Sequence, residues 1–269
     1  FTGYVNVGNT PLPTVIDTGS TSMICLSCRC PSCAGPRSSL YSACHGGERS
    51  VHKRDCHTAS DCHVPSRTYI GMKDDLTFSY VSGSTHAKAA KERIEIRGHN
   101  ANLAASVIGE GVTFYEVTQN ALDVIKLGFF SCVMGVAAGC QSRDCKSNKC
   151  DGGCQDVFLH QFDNAGARYS VCLEGQKGWM VWNENRRKGS VEVQLLEYEN
   201  NPGDLISQLW YTPLHNVAIG SRTSNYCRIN NCIAVFDSGT SLFMFPHPFE
   251  REISKSVSGI IRNHKLIKL

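Results

Sequence analysis

The hydrophobic positions of this chain form short runs that alternate with polar residues and end at Gly, Pro, Asn or Ser. Residues 4–7 and 14–16 are two such runs around a turn at 8–11, and residues 76–81 and 93–97 are two more around a Ser-Gly-Ser turn. Alternation with a period of two predicts half-buried strands, and the small residues between them predict tight turns. The pattern therefore predicts an all-β fold that begins with a hairpin.

Two cysteine-rich tracts interrupt this pattern, at residues 25–63 and 140–154. Neither has the periodicity of a helix or a strand, so we interpret them as insertions held by cross-links. Residues 103–139 predict further strands and include the apolar stretch 129–136. Near the carboxyl end, residues 247–258 predict a helix.

Composition and charge exclude several classes of protein. Hydrophobic residues make up 41% and charged residues 19% of the 269 residues, which is ordinary for a globular protein. A net charge of +3 is too small to predict a nucleic-acid partner or an anionic membrane surface. No run of about 18 apolar residues occurs, so we expect any membrane anchor to lie outside this chain. The chain begins in a strand pattern instead of a signal peptide, and we expect a longer precursor.

The cysteine count indicates an oxidising compartment. Fifteen cysteines are many for a cytosolic chain of this length, and they predict disulfides and therefore the secretory pathway or secretion. Because the number is odd, at least one thiol stays unpaired if all the others are bridged.

The first cysteine-rich tract also allows a zinc-binding interpretation. Cys25 and Cys28, and Cys30 and Cys33, form Cys-x-x-Cys pairs, and three Cys-His pairs follow in the same tract. These are zinc-ligand types, but the two Cys-x-x-Cys pairs are separated by one residue, whereas a chain that wraps an ion tetrahedrally needs a longer spacer. Disulfides are therefore favoured, zinc ligands and free thiols remain alternatives, and we expect no resident metal or cofactor.

One short motif occurs twice in the chain. Residues 15–21 read Val-Ile-Asp-Thr-Gly-Ser-Thr, and residues 235–241 read Val-Phe-Asp-Ser-Gly-Thr-Ser. A single Asp-Thr-Gly is common in Asx-type turns after strands, but two copies in the same apolar context are not expected by chance. The repeat predicts two related lobes that each contribute one aspartate loop.

The residue types of these loops suit a pair of catalytic carboxylates, Asp17 and Asp237. Glycine lets the loops approach closely, and the flanking hydroxyls can donate to the carboxylates or across the two loops. The supporting residues are Thr18, Gly19, Ser20, Ser238, Gly239 and Thr240. Two carboxylates held close together cannot both ionise, so they share one proton. The ionised partner can act as general base on a water molecule, and the protonated partner can donate to a scissile carbonyl.

These motifs resemble those of pepsin-like aspartic proteases over nearly the whole chain. The flap of that family, a hairpin that closes over the substrate, carries a Tyr followed by a Gly-Ser turn, and Tyr80, Gly83 and Ser84 stand at the corresponding place. Residues 132–136 resemble the apolar segment, containing Gly135, that passes beneath the first aspartate loop. The resemblance implies a bilobal all-β fold, a monomer, and aspartic endopeptidase activity on a polypeptide substrate.

The departures from pepsin indicate a branch of the family. Where pepsin-like enzymes place a Trp that braces the flap, this chain has Ile24, and the cysteine-rich insertion follows directly. This arrangement is similar to nepenthesin-type enzymes and to plasmepsin V and its apicomplexan relatives, which implies processing of exported proteins in the endoplasmic reticulum or Golgi. Glu110 and Glu116 are available to read a basic substrate residue, but we expect both to be solvated surface carboxylates.

The expected organisation is an amino-terminal lobe over residues 1–150, with the insertion and the flap, and a carboxyl-terminal lobe over residues 151–269. Few residues follow Asp237 compared with the length of chain from Asp17 to Gly135, so internal symmetry predicts that the second lobe is incomplete. Two alternatives to a protease therefore stay open. One is a protease-derived module that binds peptides without cutting them, and the other is a zinc-binding interaction domain at 25–63.

Overall fold

The chain is described by a computed structural model. The described residues are 2–30, 62–80, 83–96, 106–120, 130–137, 157–162, 169–174, 177–182, 193, 195, 209–219, 222–240, 244, 245, 249, 251, 253 and 254. Within them the chain is mostly strand with very little helix, which confirms the predicted all-β class. Most of the predicted insertion at 25–63 and all of the tract at 140–154 lie outside the described residues.

The strands are numbered in chain order. They are β1 (Thr2–Val7), β2 (Thr10–Asp17), β3 (Met23–Leu26), β4 (Ile70–Tyr80), β5 (Gly83–Ile96), β6 (Val107–Asn120), β7 (Cys132–Gly135), β8 (Tyr169–Glu174), β9 (Lys177–Trp182), β10 (Tyr211–Leu214), β11 (Val217–Ile219), β12 (Arg222–Ser224) and β13 (Cys232–Val235). A 3-10 turn spans Phe158–Gln161, and helix α1 spans Tyr226–Asn230. Of the helix predicted at 247–258, residues 249, 251, 253 and 254 are helical, and the other positions lie outside the described residues.

The first seven strands form one sheet in the order β1-β2-β7-β3-β6-β5-β4, and β1 also pairs with β5, so the sheet curls back on itself. The predicted opening hairpin is β1–β2, in which Val7 lies opposite Thr10. Its turn is tighter than predicted and consists of Gly8 and Asn9. Gly8 has a φ of 60°, a conformation that glycine adopts without strain.

The central strands of the sheet are buried on both faces, whereas the edge strand β4 is largely exposed. Neighbouring residues on one strand point to opposite faces. On β6, Phe114 belongs to one apolar cluster and Tyr115 to another, and on β7 Met134 and Val133 divide in the same way. The central strands therefore carry apolar residues at consecutive positions, as in β7, where all four residues are buried.

The flap hairpin is longer than the sequence predicts. β4 and β5 pair from Ile70 opposite Lys91 to Tyr80 opposite Gly83. The prediction began the second strand at residue 93 because residues 86–92 are rich in Lys, Ala and Glu, which favour helices. Pairing of β5 with β4 on one side and β6 on the other overrides that local preference.

β2 ends at Asp17 in the middle of the sheet, because β2 pairs in parallel with β7 and places Asp17 opposite Gly135. A Cβ atom on Gly135 would lie 2.5 Å from the Ser22 nitrogen and 2.7 Å from the Ser20 carbonyl carbon. Only glycine therefore lets β7 pass this close beneath the first aspartate loop.

The later strands form small sheets, β8 with β9, β10 with β13, and β11 with β12. In the described segment before Asp237, the strands are three or four residues long. β13 places Val235 opposite Tyr211 and leads directly into the second aspartate loop.

Three disulfides are described, Cys25–Cys132, Cys28–Cys62 and Cys227–Cys232. Cys30 is also disulfide-bonded. The cysteines of the first Cys-x-x-Cys pair thus bond to distant partners, so the disulfide interpretation is confirmed for them and the zinc interpretation is wrong for them. Among the described cysteines, Cys172 is unpaired, in agreement with the odd total.

The described segments contain neither a metal-ligand cluster nor a membrane-spanning helix. No cluster of three or more His, Cys, Asp or Glu side chains there is arranged to hold a metal ion. None of the helices in the same segments has the length and apolar composition needed to cross a bilayer.

Candidate active site

The first aspartate loop fixes the carboxylate of Asp17. This residue is 7% exposed. Its Oδ1 accepts a hydrogen bond from the Gly19 amide at 2.9 Å, and its Oδ2 accepts one from the Ser20 hydroxyl at 2.5 Å. The chain turns as β2 ends and brings residues two and three positions later back to the aspartate, as in an Asx turn.

The second loop repeats this arrangement at Asp237. Oδ1 accepts a hydrogen bond from the Gly239 amide at 2.8 Å, and Oδ2 accepts one from the Thr240 hydroxyl. Asp237 is half-buried, so it retains more contact with solvent than Asp17. Each carboxylate is thus held by one amide and one hydroxyl of its own loop.

Thr18 and Ser238 tie the two loops together. The Thr18 hydroxyl donates to the Phe236 carbonyl at 2.8 Å and accepts from the Ser238 amide at 2.8 Å. Reciprocally, the Ser238 hydroxyl donates to the Ile16 carbonyl at 2.7 Å and accepts from the Thr18 amide at 3.1 Å. The pattern has twofold character, and it sets the distance between the two aspartates.

The two carboxylates border the same small space. A Cβ atom on Gly239 would lie 2.8 Å from Asp17 Cγ and 3.2 Å from Asp237 Oδ1. A Cβ atom on Gly19 would lie 2.7 Å from Asp237 Cγ. Glycine is therefore required at both positions for the aspartates to meet.

The electrostatics of Asp17 follow from this closeness. Burial raises the pKa of Asp17 above its ordinary value, and the charge of Asp237 and a hydrogen bond shared with it raise the pKa further. Hydrogen bonds from Ser20 and Gly19 lower the pKa, but they do not outweigh burial. The neutral form of Asp17 is consequently favoured next to the carboxyl group of Asp237.

The tip of the flap hairpin lies near Asp17. Tyr80 ends β4 opposite Gly83, and Ser84 is the next residue of β5. Gly83 has a φ of 138°, which favours glycine. Tyr80 packs against the buried cluster that contains Ile24. Burial, and then the negative charge of Asp17, raise the pKa of Tyr80 well above its ordinary value. Residues 81 and 82 lie outside the described residues.

The chain matches a known protein family over most of its length. The family model described as eukaryotic aspartyl protease matches residues 1–266. The chain belongs to the eukaryotic aspartyl proteases. This pepsin-like family has an all-β fold and acts on polypeptides, in line with the predicted fold and substrate class. A comparison with curated proteins gave no match.

Glu110 and Glu116 were the two candidates for recognising a basic substrate residue, and they differ in their exposure to solvent. Glu110 is exposed and pairs with Arg93 at 2.9 Å, so the expectation of a solvated carboxylate is confirmed for it. The same expectation is wrong for Glu116, which is 4% exposed. Glu116 accepts a hydrogen bond from Tyr69 at 2.8 Å and contacts the ring of His63.

The sequence indicated His63 only as a possible zinc ligand beside Cys62, which is disulfide-bonded to Cys28, and it did not indicate Glu92. Both His63 and Glu92 are fully buried. Glu92 lies two residues from both Ala90 and Ile94 on β5, which are buried. Its side chain therefore points to the same, buried face of the sheet. The register of β5 would have revealed this, but the prediction started that strand too late.

Removal of the Thr18 hydroxyl gives a first prediction. Thr18→Val keeps the shape of the side chain but leaves the Phe236 carbonyl and the Ser238 amide without this partner. We expect unfolding in urea to become easier by about 1–3 kcal/mol. A double-mutant cycle with Ser238→Ala should show coupling, because the two hydroxyl residues share one network. Strict additivity of the two changes would contradict this description of the loop interface.

Proposed function

We propose that this chain is an aspartic endopeptidase in which Asp17 and Asp237 activate a water molecule for attack on a peptide bond. The observation that carries the proposal is the reciprocal hydrogen bonding of two distant loops, which brings both carboxylates to one point. Membership of the eukaryotic aspartyl proteases supports it.

The proposed chemistry uses one shared proton. The ionised carboxylate takes a proton from water as the water oxygen attacks the carbonyl carbon, and the protonated carboxylate donates to the carbonyl oxygen. Collapse of the tetrahedral intermediate breaks the C–N bond as a proton passes to the leaving nitrogen. Ser20 and Thr240 hold Oδ2 of each aspartate, and the glycine amides hold Oδ1, so neither carboxylate must reorient during the reaction.

The proposed mechanism also assigns a role to the flap hairpin, β4 and β5. Tyr80, with Gly83 and Ser84 behind it, would cover the bound peptide and keep bulk water from the dyad. The lobes at 1–150 and 151–269 would each supply one carboxylate, and the peptide would lie between them.

Location and branch are finer proposals. The disulfides fit an oxidising compartment, so we place the protease in the secretory pathway or outside the cell. The insertion that starts at Cys25 and the presence of Ile24 in place of a Trp support a nepenthesin-type or plasmepsin V-like enzyme that processes secretory-pathway proteins.

The raised pKa of Asp17 predicts the pH dependence of cleavage. Hydrolysis needs one protonated carboxylate, so the rate should fall as the pH rises through the pKa of the protonated partner. Initial rates on an unfolded protein substrate from acidic to neutral pH, with and without pepstatin, measure this. A rate that stays constant to neutral pH, or that pepstatin leaves unchanged, would contradict the proposed mechanism.

A second candidate function is a peptide-binding module without catalysis. It is favoured by the exposure around the second loop, where Val235 is 41% and Phe236 is 54% exposed, so that Asp237 is less desolvated than Asp17. Such a module would bind peptides equally well after Asp237→Asn, which calorimetry with an unreactive peptide would detect.

A further inference from the structure

A buried ionisable cluster lies in the first lobe apart from the two aspartates. His63 and Glu92 are 0% exposed and Glu116 is 4% exposed. The imidazole stands between the two carboxylates, with Nδ1 3.4 Å from Glu116 Oε1 and Nε2 3.7 Å from Glu92 Oε2. We call these three residues the His63 cluster. Buried charges are costly unless they are paired, so the cluster needs an explanation beyond packing.

The two glutamates hold the chain segment 62–69. Glu92 accepts hydrogen bonds from the Ser66 amide at 3.2 Å and the Ser66 hydroxyl at 2.8 Å, and from the Thr68 hydroxyl. Glu116 accepts from the Tyr69 hydroxyl at 2.8 Å. The polar side chains of the segment thus point inward to carboxylates on β5 and β6, which fastens its backbone to the sheet.

This segment connects the cysteine-rich insertion to the flap. At its start, the His63 amide donates to the Leu26 carbonyl at 2.7 Å, and the Cys28–Cys62 disulfide joins it to the residues after β3. At its end, Ile70 begins β4, the strand that ends at Tyr80 beside Asp17. Contacts that fix residues 62–69 therefore also fix the start of β4, which is the base of the flap.

We propose that the His63 cluster is an acid-sensitive anchor that positions the flap, holding the base of β4 on the sheet when its glutamates are ionised and releasing it when they are protonated. The anchor itself follows from the contacts above, and its effect on substrate rests on the proposed proteolytic function. His63, Glu92 and Glu116 act here as positioning residues, because they do not touch the dyad.

The charges around the cluster give the sign of the effect. Burial raises the pKa of Glu92, but hydrogen bonds from Thr68 and Ser66 outweigh it, and the pKa lies below the ordinary value of 4.5. Burial likewise raises the pKa of Glu116, but His63, with Ser27 and Tyr69, brings the pKa below 4.5. A carboxyl group whose pKa is lower in the folded state than in the unfolded state stabilises the fold at pH values above its unfolded pKa. This stabilisation is lost as the pH falls through the folded pKa. The anchor is therefore closed near neutral pH and opens in acid.

Among the described residues, the ionisable groups that face His63 come from three elements. Glu92 approaches from β5, Glu116 from β6, and Tyr69 from its own segment, with ring centroids 5.7 Å apart. Burial, and then the hydrogen bond to Glu116, raise the pKa of Tyr69 to about 12, and the charge of Arg29 acts against that rise. The Tyr69 hydroxyl therefore remains a hydrogen-bond donor at acidic and neutral pH. The pH response is thus assigned to the carboxylates of Glu92 and Glu116.

Hydrogen exchange of the full chain tests the anchor directly. We expect amide protection in peptides covering 62–80 to fall by about tenfold between pH 6 and pH 3.5, after correction for intrinsic exchange, while peptides from β2 and β7 stay protected. Glu116→Gln should show the low protection already at pH 6. Glu110→Gln, on the same strand but exposed, is the matched control and should behave as the wild type.

Tyr69→Phe removes only one hydroxyl, so we expect it to disturb folding less than a change at either glutamate. It should lower protection of 62–80 at pH 6 and raise the KM for a peptide substrate more than it lowers kcat, whereas Tyr4→Phe, at a 69% exposed residue, should change neither. Equal protection at both pH values in the wild type, or identical behaviour of Tyr69→Phe and Tyr4→Phe, would overturn the anchor. Because exchange needs no turnover, it decides the anchor even if the wild type cleaves nothing, a result that would instead reject the proposed function.

Discussion

Asp17→Asn and Asp237→Asn should each abolish measurable peptide hydrolysis, with a loss of at least about 10²–10⁴-fold in kcat. Asparagine keeps an oxygen that can accept from the glycine amide, and its amide can donate to the Ser20 or Thr240 oxygen, so each loop can stay folded. What is lost is the shared proton, since an amide neither takes a proton from water nor gives one to a carbonyl. Initial rates on a fluorogenic peptide at acidic pH measure the effect.

The control for this pair is Asp74→Asn, which changes the same functional group at an exposed position on β4. It should leave the rate unchanged. A variant of either dyad residue that unfolds would show a reduced melting temperature, and one that folds and still hydrolyses at the wild-type rate would exclude that aspartate from the chemistry. Because the two groups work on one proton, the double variant should be no slower than the single ones.

The second large effect is expected from a single added methyl group. In Gly19→Ala the new Cβ would lie 2.7 Å from both Cγ and Oδ1 of Asp237, closer than van der Waals contact permits. Gly239→Ala would place a Cβ 2.8 Å from Asp17 Cγ. The loops must then separate, which breaks the hydrogen bonds through Thr18 and Ser238 and costs about 1–3 kcal/mol or more of stability.

These alanine variants should lose activity as well as stability, because the dyad can no longer share a proton once its members are apart. Gly3→Ala is the matched control, since a Cβ there would have nothing within 4 Å. Thermal unfolding and kcat/KM measured on the same samples test this. Wild-type activity in Gly19→Ala would contradict the close approach of the loops.

The aspartate loops were predictable because their chemistry is local. Asp17, Gly19 and Ser20 interact within one turn, and the echo of this motif at Asp237 is visible in the sequence. The first hairpin was predictable for the same reason, since alternation and a Gly-Asn turn are local signals.

The rest depended on pairing between distant segments. The length of β5 was missed because its lysines, alanines and Glu92 favour a helix, and only its two neighbouring strands decide otherwise. The burial of Glu116 was missed because a carboxylate is ordinarily exposed, and its partners His63 and Tyr69 are far away in the sequence. Ionic networks of this kind carry no periodic signal.

The seven-stranded sheet also shows how the fold supports Asp17. Gly135 lets β7 run directly beneath the Asp17 loop, and the Cys25–Cys132 disulfide joins β3 to β7 at the other end of that strand. Asp17 is consequently supported from below by the backbone of β7, and Tyr80 lies close enough to feel its charge. Such rigid support is what a preorganised carboxylate needs.

The most direct test of the central claim compares two peptides of the same sequence, a cleavable substrate and an analogue with a tetrahedral hydroxyl-bearing carbon in place of the scissile carbonyl. A dyad that activates water is complementary to the tetrahedral state, so the wild type should cleave the substrate and bind the analogue at least about 100-fold more tightly than the substrate. Calorimetry on the analogue and a KM or Kd for the substrate provide the ratio, and Asp17→Asn should bring it close to one. Equal affinity of the wild type for both peptides, without cleavage, would contradict the account and identify a peptide-binding module.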